Sequence, residues 1–143
     1  MLQGEIAVAG AETAGACGMS PTAAWCIRMF FIAAHLLKEH AELLFERYGF
    51  LPGFKAALHC GEFVVGEVGD IKCQLVLYGD AIYETQKIEK ACSKMKQPFL
   101  VSGEFMERVI LPGIYQSEHC TDLEIGDKRI ELFSICEKEA GIV

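Results

Sequence analysis

Along the 143-residue chain, hydrophobic residues recur in two rhythms, a three-to-four spacing and a two-residue or continuous one. Glycine or proline marks most of the changes between them. GEIAVAG (4–10) predicts a short strand ended by glycine, and the small-residue stretch 11–20 a loop. Ser20-Pro21 then predicts a helix start, with Ser20 as cap and proline in the first turn. That helix is expected to reach Tyr48 and stop at Gly49. Ile27, Phe30, Ala34, Leu37, Ala41, Leu44 and Tyr48 form its core-facing stripe, while Lys38, Glu39, Glu42, Glu46 and Arg47 form a solvated face. Its first half, AAWCIRMFFIAAHLL (23–37), is apolar nearly all round, which predicts cover from another chain or a further segment. Arg28 interrupts it, and it falls short of the ~20 residues a bilayer span needs.

Past the LPG turn (51–53), FKAALHC (54–60) and EFVVGEV (62–68) read as strands joined by a tight hairpin at Gly61. CQLVLY (73–78) is a third strand. A helix capped by Asp80 follows, with Ile82, Thr85, Ile88, Ala91, Cys92 and Met95 inward, and Gln97-Pro98 ends it. PFLVSG (98–103) returns as a strand, EFMERVI (104–110) as a short helix, and the tail as two strands turning at Gly126-Asp127. The order β-α-β-β-β-α-β-α-β-β predicts an α/β sandwich with helices packed on a mostly antiparallel sheet.

The length fits one domain over residues 1–143. With 52% hydrophobic and 23% charged residues the chain belongs to the folded class. Its net charge of −7 argues against nucleic acid as a partner. The seven cysteines include no C-x-x-C pair, so they are read as reduced, mostly buried thiols in a cytoplasm-like compartment rather than as a zinc site or disulfide framework. The N-terminus has no signal-peptide pattern.

The densest local signal is His59-Cys60-Gly61, Gly66, Gly69 and Tyr78-Gly79-Asp80. Glycines so spaced serve either turns and bulges or the close approach of a ligand, and spacing alone does not separate the two. The segment FKAALHCGEFVVGEVGDIKCQLVLYGDAIYETQKIEKAC resembles the central part of a class III adenylate/guanylate cyclase catalytic domain, with its strand-end H-x-G, its G-x-x-G and its aromatic-Gly-Asp turn opening a helix. FLVSGEFMERV resembles the strand–helix pair that follows, and TDLEIGDKRIELFSI the closing hairpin, so the likeness runs in consistent order over about residues 2–137.

The resemblance implies a ferredoxin-like α/β sandwich that lacks its first strand here. It also implies a homodimer or heterodimer with another cyclase-type domain, ATP or GTP at the interface, and Mg²⁺ or Mn²⁺. Its site residues carry over one at a time. Gly4 falls at a metal-binding Asp position, with Glu5 as a weak substitute; the ion is hard and wants oxygen ligands, which glycine lacks. Val76 falls at a purine-selecting position, where it cannot hydrogen-bond a base edge. Tyr83 and Lys87 occupy the transition-state Asn and Arg positions one helical turn apart; lysine keeps the charge but loses the bidentate fork. Gly79, Asp80 and Lys128 complete the nucleotide-side candidates. His59 is read as a structural hydrogen-bonding residue. The expectation is a cyclase-like domain in cyclic nucleotide signalling, impaired or inactive as this chain and acting as a dimerising or regulatory module. The alternative is an active purine nucleotide cyclase completed by a partner chain or by a missing N-terminal segment.

Overall fold

The computed structural model describes residues 4–10 and 21–139, with side chains of 4–10, 21, 22 and 65 outside the description. Among the described residues there are eleven elements, in the expected order except that the one long helix is split into two. They are β1 (Gly4–Gly10), α1 (Pro21–Glu39), α2 (Ala41–Tyr48), β2 (Phe54–Cys60), β3 (Val64–Val68), β4 (Gln74–Tyr78), α3 (Asp80–Met95), β5 (Phe99–Ser102), α4 (Gly103–Met106), β6 (Tyr115–Ile125) and β7 (Lys128–Glu137). The main sheet has the order β1-β2-β5-β7-β6, and β3 and β4 form a separate two-stranded ribbon. The pairs β1–β2 and β2–β5 are parallel; β5–β7, β6–β7 and β3–β4 are antiparallel. The result is a mixed α/β fold of ferredoxin-like type in which antiparallel pairing predominates.

Strand alternation sorts the core onto the two sheet faces. Ala56 and Leu58 of β2, with Phe99 and Val101 of β5, pack beneath Ala23 and Ile27 of α1. Ala57 and Leu100, with Ile130 and Leu132 of β7, pack against Ile88, Ala91 and Cys92 of α3. On the α1 side, Phe30 stacks on Phe99 with ring centroids 4.2 Å apart, and Phe31 stacks on Tyr115 at 4.8 Å. Each such pair contributes about 0.5–1.5 kcal/mol beyond its buried area.

Four local expectations are corrected. Gly61 closes no hairpin, because β2 and β3 belong to different sheets. A Cβ at Gly61 would stand 2.8 Å from the Ala81 Cβ, so this glycine admits the start of α3 against the end of β2. The long helix is interrupted at His40, whose ring Nδ1–H donates to the Leu36 carbonyl at 2.9 Å, the same oxygen that accepts its backbone N–H at 3.1 Å. Its core-facing stripe fades beyond the break, and Tyr48 is exposed. Asp80 is the first helical residue rather than the cap: Gly79 takes the cap position with φ 140° and no side-chain hydrogen bond, leaving the Asp80 carboxylate in the first turn, where the helix dipole favours it. Helix α4 covers only the first part of the expected 104–110. Gly49 behaves as expected, ending α2 in the left-handed region at φ 75°.

The cysteines are also less buried than expected. Cys92 is buried, Cys26, Cys60 and Cys120 are half-buried, and Cys73 and Cys136 are exposed. Burial, with Glu89 nearby, pushes the Cys92 thiol up to about 11, where it is inert. Ser20 and Cys17 lie outside the described residues.

Candidate functional site

The polar centre of the molecule is built where α3 begins, at one end of the main sheet. His59 ends β2 on the α3 face and is buried, with no exposed side-chain area. Its Nε2 lies 2.7 Å from Glu84 Oε2 and its Nδ1 2.8 Å from Ser102 Oγ. Ser102 closes β5 and caps α4, its Oγ accepting from the Phe105 N–H at 3.2 Å. Lys128, the first residue of β7, donates to Glu84 Oε2 at 3.0 Å and stands 3.4 Å from Glu104 Oε1. One Glu84 oxygen therefore joins β2, α3 and β7.

Burial pushes the Glu84 carboxyl up, but hydrogen bonds and charge from His59 and Lys128 outweigh it and hold the group below its usual value. Burial lowers Lys128, and Glu84 and Glu104 outweigh that in turn, leaving the ammonium above its usual value. An ionised Glu84 accepts from His59 Nε2–H, and Nδ1 faces the Ser102 hydroxyl with Glu104 Oε2 3.5 Å away. With its ring buried and both nitrogens engaged, His59 is a strut between strand, helix and cap, in line with its structural reading.

The sequence candidates divide around this centre. Tyr83 and Lys87 lie one turn apart on α3; the Tyr83 ring is exposed, and the Lys87 ammonium stands 5.1 Å from its centroid as a cation–π pair. Gly79 and Asp80 form the turn between ribbon and helix. A Cβ at Gly79 would lie 2.9 Å from the Glu62 carbonyl oxygen and from the Phe63 Cα, so only glycine fits. Val76 lies on β4 opposite Gly66, half-buried within the ribbon. Lys128 joins Glu84 rather than Tyr83 or Lys87, its charge divided between two carboxylates. Gly4 pairs with Phe54 and Glu5 with Lys55 in the β1–β2 register, while the side chain of Glu5 is outside the description.

Glu84 was not anticipated. It stands at a charged position between the inward residues Ala81 and Thr85, and only the partners on β2 and β7 reveal its role. Among the described residues, the one group with metal-ligand spacing is His119, Asp122 and Glu131 on the closing hairpin. There Arg129 already hydrogen-bonds Asp122 and, with His119, holds that carboxyl below its usual value.

The Gly79–Asp80 turn, the buried strand-end His59 and the hairpin docked on α3 invite comparison with nucleotide cyclases. Over 100 residues, 70% of its length, the chain is 28% identical to adenylate cyclase 2 of Rhizobium meliloti (strain 1021). This chain is similar to an adenylate cyclase. It spans 28% of that cyclase's length, so the likeness concerns a part of the relative. No protein-family description matches the chain. No helix among the described residues is long and apolar enough to cross a membrane.

Proposed function

We propose that this chain is a class III cyclase-type domain that serves cyclic nucleotide signalling as a dimerising or regulatory module and makes no cyclic nucleotide itself. The observation that carries the reading is the state of α3. The helix presents Tyr83 and Lys87 where the resemblance calls for an amide and a guanidinium, and the two side chains are engaged with each other. A phenol ring cannot orient a ribose as an amide does, and a lysine offers a point charge without a planar fork. Lys128 is drawn into the Glu84–Glu104 pair, so its charge is largely offset before any triphosphate arrives.

The donor set does not fit Mg²⁺ or Mn²⁺ at the position the resemblance assigns, since Gly4 brings no side-chain oxygen. Single-domain organisation over residues 1–143, a cytoplasmic setting, and weak ATP or GTP binding at the Gly79–Asp80 turn beside Val76 belong to the same proposal. The similarity to an adenylate cyclase favours one competing reading, in which a partner chain supplies the missing metal carboxylates and the pair is active. Incubating the purified chain with ATP or GTP and Mg²⁺ or Mn²⁺, alone and mixed with a complete cyclase domain, separates the two. The proposal expects no cyclic product from the chain alone and none added in the mixture; turnover that requires both chains establishes the competing reading.

A further inference from the structure

One face of α1 is unexplained by the core. Ala23, Ile27, Phe30 and Phe31 pack inward, yet Trp25, Met29, Ile32 and Leu36 on the opposite side are each between 49 and 63% exposed. A helix that is apolar all round is a covered helix. The spacing of the exposed residues is four, three and four, which is that of a coiled-coil seam rather than of a random apolar surface. The interruption at His40 does not end the seam. His40 N bonds the Leu36 carbonyl and Leu44 N bonds the His40 carbonyl, so the i to i−4 ladder bridges the break and Leu43, also exposed, continues the line.

We propose that this seam pairs with the same seam of a second copy of the chain, antiparallel about a two-fold axis near Ala34. Such pairing sets Trp25 against Leu43 and Ile32 against Leu36 in both directions. The charges flanking the seam select this arrangement. Arg28 flanks its N-terminal half and Glu42 its C-terminal half, both exposed. An antiparallel pair brings Arg28 of each copy to Glu42 of the other, whereas a parallel pair sets Arg28 beside Ala33 and leaves it without a charged partner. Glu39 is the polar seam position, and its opposite is Met29; one polar residue in a seam fixes register at some cost in affinity. The five exposed side chains offer on the order of 500 Å² per copy, about 1,000 Å² for the pair, which reaches the lower bound of specific interfaces. Trp25, its ring already covered on one side by Arg28 at 4.6 Å, is the kind of residue that anchors such an interface. The seam lies on the sheet face opposite α3 and does not depend on the cyclase reading.

Sedimentation equilibrium of the 143-residue chain tests the proposal, with emission of the single tryptophan followed across the same concentrations. A dimer is expected, with a blue shift as Trp25 leaves water. Met29→Glu should weaken it at least about tenfold, and so should Arg28→Glu; Arg28→Glu combined with Glu42→Arg should restore it. Circular dichroism of each variant confirms folding. A chain monomeric at every concentration overturns the proposal, as does a dimer indifferent to Met29→Glu. Failure of the reversed pair to outperform Arg28→Glu overturns the antiparallel arrangement. Cyclic product formation is read separately, so failure here and failure of the proposed function are distinguishable.

Discussion

Glu84 ties three elements together, because a single carboxylate oxygen holds His59 and Lys128. Glu84→Gln leaves a hydrogen-bond acceptor for His59 but removes the charge that balances Lys128. We expect it to lower unfolding free energy by about 2 kcal/mol in urea titration; an unchanged midpoint would show that the cluster contributes nothing. Lys87 and Tyr83 invite a different substitution. Replacing both with the pair that the cyclase resemblance implies, Tyr83→Asn with Lys87→Arg, is expected to yield no cyclic product from ATP and Mn²⁺, because Gly4 still provides no metal carboxylate. Product from that variant would mean that other oxygens hold the ion.

The strand–turn–helix from β4 to α3 depends on one backbone conformation. Gly79 sits at φ 140° with the Glu62 carbonyl and Phe63 against its α-carbon. Gly79→Ala should cost at least about 2 kcal/mol and disturb the ribbon before the main sheet, as hydrogen exchange would resolve. Protection lost evenly over both sheets would contradict this local role. This turn was legible in the sequence, as was the order of elements, because strand alternation, helical spacing and glycine stops agree over most of the chain. The pairing of β3 was less legible. An apolar run followed by Gly61 and another apolar run satisfies a hairpin pattern, and only the approach of Ala81 shows why the glycine is there. The break at His40 escaped for a similar reason, since one side chain competing for the Leu36 carbonyl leaves the helical spacing intact. Glu84 was hidden because its partners lie 25 and 44 residues away and periodicity carries no information on such pairs.

At the scale of the molecule, the cluster makes docking of the closing hairpin depend on pH. Glu84 titrates lower in the folded state than its ordinary 4.5, so its contribution is complete above that value and is lost as pH falls through the folded one. Lys128 titrates higher than its ordinary 10.5, so its contribution is complete below that value and is lost as pH rises through the folded one. The stability difference between the chain and Lys128→Met should therefore be level between these limits and shrink below about pH 4.5. Its size should not exceed about 1 kcal/mol, because the ammonium is half-exposed and screened. A difference that persists undiminished at pH 3 would place the interaction elsewhere. We propose at this scale that the chain keeps a cyclase-type scaffold and makes no cyclic nucleotide. Cyclic product released by the purified chain from ATP or GTP with Mn²⁺ measures this most directly. The account predicts none above the no-protein control, and steady turnover proportional to the amount of this chain alone would contradict it.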